Sequence, residues 1–323
     1  MTSTRAKTHA KTNSKEAAAA WTDAAPIAWG ALASSFERHL RATNKSPKTI
    51  SNYSEAVRQL GSYLAAKGMP QDLGNLRRGH VESYIDDLLN QRSSATARNR
   101  FASLQQFFHW AVDEGEVKNS PMAKMKPPKV SSKPPRVLSM DDLKKLVATC
   151  EKGSSFEARR DYAILRTFIT TGCRRAEISN LELDDIDLDR AIMVVTGKGD
   201  RTRALPLNPK TVRAIDRYLR KRPVNKYHTS NSLWLGRNGP MTHWGVEEIV
   251  NRRAKQAGLT GVSLHTFRHT WTDQALRDRT IPETDLMELG GWKSRQMLER
   301  YGAAARQERA VEAGRHLSID ERL

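Results

Sequence analysis

The sequence is poor in cysteine and has no long apolar run. Cys150 and Cys173 are its only cysteines. Their spacing suggests neither a disulfide framework nor a cysteine-based zinc site, which fits a reducing cytoplasm. No apolar stretch approaches the roughly 20 residues that a membrane-spanning helix requires, and the polar start of the chain lacks the apolar core of a signal peptide. These absences argue against a disulfide-stabilised secreted protein and against a membrane protein.

Acidic residues are scarce relative to basic ones. The 323 residues include 54 Lys and Arg against 36 Asp and Glu, a formal net charge of +18. Residues 1–136 contain 21 basic and 11 acidic side chains (+10), and residues 137–323 contain 33 and 25 (+8). An excess of this size attracts polyanions, and its presence in both parts favours a clamp with two basic faces. A basic protein that is merely soluble is the alternative.

The length suggests two domains, and the first has the pattern of a four-helix bundle. We expect a flexible basic tail over residues 1–26 and the bundle over 27–117, with its first helix at 27–42. Ser46 and Pro47 are typical of a helix start. Three further stretches carry apolar residues at helical steps of three and four. They are Ile50, Tyr53, Val57, Leu60 and Leu64; Val81, Tyr84, Ile85, Leu88 and Leu89; and Phe101, Leu104, Phe107, Phe108 and Ala111.

A linker and a second domain are expected after the bundle. Residues 118–136 alternate prolines with lysines, which predicts an extended linker, either a strap along phosphates or an ordinary solvated connection. Residues 137–318 predict a mostly helical domain with one small antiparallel sheet, built from Ile186 to Val195 and a return strand that ends at Pro206. Residues 319–323 are assigned to a C-terminal tail. The expected fold class is therefore mainly α (α+β).

Two motifs in the second domain place a cation where an anion could bind. Gly172 permits a tight turn into a new helix, and Arg174, near the N-terminus of that helix, could grip two phosphate oxygens. Glu177, three residues later, could orient it. Lys198 stands between two glycines at a hairpin tip, from which it could reach a DNA groove or donate a proton. Taken alone, each motif is more often a solvated surface.

A third motif combines histidine with arginine. His265 shares a helix face with Arg268 at spacing three and with His269 at spacing four. Histidines at spacing four can bind zinc, but Thr266 stands where the zinc-protease pattern has glutamate, so no metal is expected. The alternative is that His265 and Arg268 converge on a phosphate while His269 packs or hydrogen-bonds behind them.

The fourth motif joins Trp292 to Tyr301, nine residues later on an expected helix. Trp292 offers a rigid wall with one N–H donor. A tyrosine becomes a useful nucleophile only where cations stabilise its phenolate and the developing phosphorane. A lone tyrosine is more often a packing residue.

Taken in order, the four motifs give Arg, Lys, His-x-x-Arg, Trp and Tyr, which resembles the active-site signature of the tyrosine recombinases, the phage integrase family. The resemblance spans nearly the whole chain and is closest to phage integrases over Leu289–Tyr301. It implies a SAM-like core-binding domain followed by a catalytic domain. It also implies that the chain cuts and rejoins DNA through a 3′-phosphotyrosyl bond without metal or other cofactor.

The resemblance implies a role for each motif residue. Arg174 and Arg268 would clamp the scissile phosphate, Lys198 would protonate the leaving 5′-hydroxyl, His265 would assist proton transfer, Trp292 would orient the site, Tyr301 would attack, and Glu177 and His269 would support them. Lys48, Arg98 and Arg100 are candidate DNA contacts in the helical domain.

The implied partners are a double-stranded DNA recombination site and further copies of the chain, four protomers on two duplexes, linked through residues after Tyr301. An accessory DNA-bending or directionality factor is left open. We expect integration or excision of a phage or mobile element. An Xer-like chromosome or plasmid resolvase would carry the same residues, and a DNA-binding regulator of the same fold without catalysis is a further alternative.

Overall fold

A computed structural model describes the backbone of residues 27–130, 135–197, 201–278, 280–301, 310–311 and 314–315. The expected tails at 1–26 and 319–323 lie outside the described residues. The chain divides between Ser132 and Lys133 into two compact units, and each is described by itself. None of the described helices has the length and apolar character needed to cross a membrane.

The first unit is a helical bundle. Its helices are α1 (Ile27–Ala42), α2 (Pro47–Ala66), α3 (Arg78–Gln91) and α4 (Ser94–Asp113), with a 3₁₀ turn at Leu73–Asn75. Ser46 caps α2 by accepting a hydrogen bond from the Thr49 N–H, and Ser93 caps α4 in the same way through Thr96. These caps satisfy N–H groups that the first helical turn leaves free, so the polar starts of α2 and α4 are fixed locally.

Aromatic side chains fill the core of this unit. Phe36 packs against Phe107 with ring centroids 5.5 Å apart and against Trp110 at 5.2 Å. Gly61 lets α2 approach α1, because a Cβ at Gly61 would lie 2.4 Å from the Trp29 ring. The three predicted apolar stripes face this core, with Tyr53 partly buried and Leu89 40% exposed.

The first part of the expected linker is not extended. The Ala123 N–H donates to the Ser120 carbonyl and the Met125 N–H to the Met122 carbonyl, which are turn hydrogen bonds. Met122 is 1% exposed and belongs to the core of the first unit. Burial of this apolar side chain folds the segment back onto the bundle, which the proline and lysine content did not predict.

The second unit is mostly helical and confirms the expected fold class. Its helices are α5 (Met140–Glu151), α6 (Phe156–Thr171), α7 (Arg175–Ser179), α8 (Pro209–Lys221), α9 (His243–Gln256), α10 (Leu264–Asp278), α11 (Glu283–Gly290) and α12 (Arg295–Tyr301), with 3₁₀ turns at Leu183–Asp185 and Arg222–Val224. Helix α6 packs against α5, α8, α9 and α10. Phe168 and Thr171 near its C-terminal end are buried, so this end lies inside the unit.

Two antiparallel sheets accompany the helices in the described part of the second unit. The expected sheet has the order β1 (Ile186–Asp187), β2 (Ile192–Thr196) and β3 (Thr202–Pro206). Residues of β2 and β3 pair in a register that sets Met193 opposite Leu205 and Val195 opposite Arg203. A second, two-stranded sheet pairs β4 (Leu235–Gly236) with β5 (Gly239–Pro240). The sequence did not predict this second sheet.

A buried carboxylate ties three elements of the second unit together. Asp161 on α6 is 0% exposed. It accepts hydrogen bonds from Arg160, Arg252 and Arg253, the last two on α9. Arg253 also donates to the carbonyl of Thr149 on α5. A buried charge is tolerated when it is paired and hydrogen-bonded, so this cluster fixes α5 and α9 against α6.

Candidate active site

The site begins where α6 ends. Gly172 terminates that helix in a left-handed conformation with φ +55°, a conformation that glycine adopts without steric cost. Arg174 then becomes the N-cap residue of α7. Its backbone N–H donates to Glu177 Oε2 at 2.7 Å, and its Nη1 donates to Oε1 at 2.8 Å. The expected orienting contact between Glu177 and Arg174 is therefore present.

Glu177 also binds a second arginine, which the sequence motifs did not predict. Arg203 on β3 donates from Nη1 and Nη2 to the two carboxylate oxygens, both at 2.8 Å. Burial alone would raise the pKa of Glu177, but the hydrogen bonds from Arg203 and Arg174 outweigh it and lower the pKa to about 2. The carboxylate thus stays ionised between two guanidinium groups.

Three successive carbonyl groups orient three arginines. Arg203 Nε donates to the Leu289 carbonyl at 2.8 Å, Arg268 Nη2 donates to the Gly290 carbonyl, and Arg174 Nη2 donates to the Gly291 carbonyl at 2.6 Å. These carbonyls lie at the C-terminal end of α11, where carbonyl groups lack helical partners and the helix dipole favours cations. The end of one short helix therefore gathers cations that come from α7, β3 and α10.

Arg268 lies deepest of the proposed phosphate ligands. It is 1% exposed, and its Nη1 donates to the Gly172 carbonyl at 3.1 Å. Its guanidinium carbon lies 4.5 Å from the centroid of the Trp292 ring, a distance typical of a cation–π contact. Trp292 is itself 5% exposed and packs against Arg268, and its role as an orienting wall of the site stays a prediction.

Glycine at positions 290 and 291 makes this packing possible. A Cβ at Gly290 would lie 2.1 Å from the Trp292 ring. Gly291 has φ +60°, and its Cβ would lie 2.9 Å from Arg174 Nη1. A larger residue at position 290 would collide with the buried ring of Trp292, which has little room to move, and one at position 291 would push Arg174 away from its hydrogen bonds to Glu177 and the Gly291 carbonyl.

His265 and His269 lie one turn apart on α10. Their rings are in an edge-to-face arrangement, with centroids 4.9 Å apart. Partial desolvation and the charges of Arg268 and Arg174 lower the pKa of His265. Burial, followed by the charges of His265 and Arg268, lowers the pKa of His269 to about 4. His269 thus contacts His265, and its supporting role behind His265 and Arg268 stays a prediction. The described residues contain no group of three or more His, Cys, Asp or Glu that could hold a metal ion.

Two predicted site residues lie partly or wholly outside the part of the chain that the structure describes. Lys198 falls between β2 and β3 in residues 198–200, outside the described residues. Tyr301 is the last residue of α12, and only its backbone is described. The residues expected to link protomers after Tyr301 are described only at 310–311 and 314–315.

The candidate DNA contacts of the first unit lie on two neighbouring helices. Lys48 is exposed at the start of α2, and Arg98 is exposed near the start of α4. Arg100, partly buried, donates from Nη1 to the Asn52 carbonyl of α2 at 3.1 Å. Lys48 and Arg98 are available to solvent, whereas Arg100 joins α4 to α2.

The second unit thus concentrates positive charge that one carboxylate only partly cancels. Arg174 and Arg203 bind Glu177, Arg268 binds the carbonyl next to the one that Arg174 binds, and Arg174 keeps 35% of its side chain exposed. Fixed cations at the edge of a packed interior stabilise an anion more strongly than mobile surface cations do. The arrangement can bind a phosphate group and stabilise the extra charge that develops when a nucleophile attacks it.

Comparisons with known proteins agree with this geometry. The sequence model described as "Phage integrase family" matches residues 136–308. The model described as "Phage integrase, N-terminal SAM-like domain" matches residues 33–115. The two matches cover parts of the second and the first unit, respectively.

Relatives of the chain are tyrosine recombinases. It is 29% identical over 240 residues to "Tyrosine recombinase XerD" of Listeria monocytogenes serotype 4b, covering 72% of this chain and 80% of that protein. It is 32% identical over 255 residues to "Tyrosine recombinase XerC" of Neisseria meningitidis serogroup C, covering 74% and 81%. The fold matches a structure of the XerH site-specific recombinase bound to palindromic difH substrate, with a TM-score of 0.72, 20% identity, and 90% and 85% coverage. The chain belongs to the phage integrase family of tyrosine recombinases.

Proposed function

We propose that the chain breaks and rejoins DNA at a specific site through the phenol oxygen of Tyr301. The observation that carries this proposal is the convergence of Arg174 and Arg268 on two adjacent carbonyls at the end of α11. Tyr301 follows on α12, at the end of the same stretch of chain. Cations held in this way are suited to a phosphate that gains charge as the phenol oxygen attacks it.

The remaining residues have distinct parts in the proposed reaction. Arg174 and Arg268 bind the scissile phosphate, and Trp292 holds Arg268 in place. His265, whose lowered pKa keeps its ring mostly neutral near pH 7, can accept the proton that the Tyr301 phenol loses as it attacks. As the bond between phosphorus and the 5′-oxygen breaks, Lys198 donates a proton to that oxygen, which leaves as a hydroxyl. The phosphotyrosyl bond preserves the energy of the broken DNA backbone, and a 5′-hydroxyl from another strand reverses the step.

We propose that several copies act together on DNA in the cytoplasm. A palindromic site is matched by two protein copies related by two-fold symmetry, and XerH was captured on such a substrate. Two sites brought together would then hold four protomers. The net charge of +18 supports binding along the phosphate backbone.

Two biological roles fit this chemistry. The first is integration or excision of a phage or mobile element, which the residues of Leu289–Tyr301 favour. The second is resolution of chromosomes or plasmids, which the XerC and XerD relatives favour. The DNA sequence on which the protein acts distinguishes them, because a resolvase site lies in the host chromosome or plasmid and an attachment site borders a mobile element.

Covalent trapping tests the proposal and finds the target. The protein is incubated with sheared genomic DNA from its source, denatured, and the protein-linked fragments are sequenced. We expect the fragments to share one site with the protein linked at Tyr301. Tyr301→Phe should still bind this DNA in a gel-shift assay but form no adduct.

Tyr227→Phe is the matched control, since Tyr227 packs against Gly239 of the two-stranded sheet, and it should form the adduct normally. An adduct that persists in Tyr301→Phe would contradict the assignment of the nucleophile. If the wild-type protein binds DNA but forms no adduct even on a nicked duplex, from which the short 5′-hydroxyl fragment is lost and cannot rejoin, the regulator alternative would be favoured.

A further inference from the structure

We infer that Arg203 is a positioning residue for the reaction, which keeps the charge of Arg174 available to the phosphate by neutralising Glu177. This inference rests on the proposed function and adds to it a residue outside the expected signature. Arg203 donates three hydrogen bonds in the site: two to Glu177 and one to the Leu289 carbonyl.

Burial separates the task of Arg203 from that of Arg174. The side chain of Arg203 is 7% exposed, whereas that of Arg174 is 35% exposed. An incoming phosphate can therefore reach Arg174, but the guanidinium of Arg203 is covered by the groups to which it is bonded. Arg203 acts through Glu177 and not by direct contact with the substrate.

The charge balance explains why a second arginine is needed. Glu177 holds Arg174 in place through two hydrogen bonds, but a carboxylate paired with Arg174 alone would cancel the charge that the phosphate requires. Arg203 adds a second positive charge to the same carboxylate. The three groups then carry a net charge of +1, and Glu177 can orient Arg174 without removing its attraction for an anion.

The same contacts couple Arg203 to the position of Arg268. Arg203 Nε binds the Leu289 carbonyl, which precedes the carbonyl of Gly290 that Arg268 binds. Arg203 therefore attaches β3 to the end of α11 and fixes the backbone that orients both phosphate ligands. Loss of Arg203 should shift these ligands as well as change their charge.

Single-turnover cleavage tests the inference on a nicked duplex made from the DNA trapped by the wild-type protein. Arg203→Ala should lower the cleavage rate about a hundredfold, as expected when catalytic groups are misplaced by about 1 Å. DNA affinity in a gel-shift assay should change much less. Arg190→Ala is the control: it removes an exposed positive charge from the same unit and should cleave at the wild-type rate.

The double variant Arg203→Ala/Glu177→Gln separates positioning from mere structural support. In Arg203→Ala the carboxylate of Glu177 cancels the positive charge of Arg174. Its replacement by the neutral amide of glutamine should make that charge available to the phosphate again, so the double variant should cleave faster than Arg203→Ala alone. Circular dichroism confirms that each variant is folded at the assay temperature.

Different failures have different meanings. Wild-type cleavage by Arg203→Ala, or a double variant as slow as or slower than Arg203→Ala, would overturn the role of Arg203 and leave the proposed function intact. A wild-type protein that forms no adduct would overturn the proposed function and this inference with it.

Discussion

The guanidinium carbon of Arg268 lies over the face of Trp292, 4.5 Å from the ring centroid. The ring also lies against Gly290, which has no Cβ to hold it off. Arg268, Trp292 and the end of α11 are thus one packed group. Because Arg268 is 1% exposed, its orientation depends on this packing and not on solvent. The tryptophan should matter for stability and catalysis together.

Trp292→Ala should lower the free energy of unfolding by about 3–5 kcal/mol, the usual cost of truncating a large buried aromatic side chain. DNA cleavage should fall at temperatures where the variant is still folded, because Arg268 loses its support. Trp292→Phe keeps an aromatic face and should retain more of both. Urea unfolding and single-turnover cleavage measure the two effects.

Trp244→Ala is the control for this prediction. Trp244 is 66% exposed on α9 and stacks on Arg175. Its removal should cost less than about 1 kcal/mol of unfolding free energy. Equal losses for the two tryptophans would contradict the assigned importance of the Arg268–Trp292 contact.

Much of this site follows from local sequence rules. Gly172 has the left-handed conformation expected of a residue that ends a helix, and Arg174 and Glu177 meet because spacing three brings them together at the start of α7. His265 and His269 meet for the same reason on α10. In each pair the two residues are three or four positions apart, which is about one helical turn. Helix geometry alone therefore brings them together.

Contacts between residues that are distant in the sequence could not be predicted from local spacing. Arg203 is far from Glu177 in sequence. Its other partner is the backbone carbonyl of Leu289, and a backbone group gives no signal in the residue types of a motif. One signal was available: strand alternation puts Arg203 on the same face of β3 as buried Leu205. An arginine on an inward face predicts a buried anionic partner, since an unpaired buried charge is costly.

The buried Asp161 cluster should be a major source of stability. Asp161→Ala leaves Arg160 and Arg253 without their carboxylate in a buried environment, and removal of one partner from such a cluster costs about 3–5 kcal/mol. Asp216→Ala is the control, because its pair with Arg220 on α8 lies at the surface and should contribute at most about 0.5 kcal/mol. Chemical denaturation of both variants measures the difference, and similar losses would argue against the cluster.

Stability should fall on mild acidification because of His269. The pKa of His269 is lowered to about 4 in the folded protein, against about 6.5 in an unfolded chain. Between these values the unfolded chain binds more protons, so the free energy of unfolding decreases as pH falls from about 6.5 to about 4. The contribution should be on the order of 2 kcal/mol after allowance for partial exposure.

His269→Gln should reduce this pH dependence and leave the smaller part that the lowered pKa of His265 contributes, measured as the urea midpoint at several pH values. His228→Gln, at an exposed position, should keep the wild-type dependence. A His269→Gln variant whose stability still falls as steeply as that of the wild-type protein would show that other groups cause the acid sensitivity.

A pair of glycine variants tests the turn at the start of the site. Gly172→Ala and Gly258→Ala both place a side chain at positive φ, +55° and +71°, which costs roughly 1–2 kcal/mol. Only at Gly172 would the new Cβ meet a neighbour, a Trp271 ring carbon at 2.6 Å, whereas nothing lies within 4 Å at Gly258. Overpacking adds about 1–3 kcal/mol, so Gly172→Ala should unfold at clearly lower urea concentration.

Gly172→Ala should also slow DNA cleavage, because the Gly172 carbonyl accepts a hydrogen bond from Arg268. Gly258→Ala should cleave normally, and equal behaviour of the two variants would mean that the turn at Gly172 does not position Arg268.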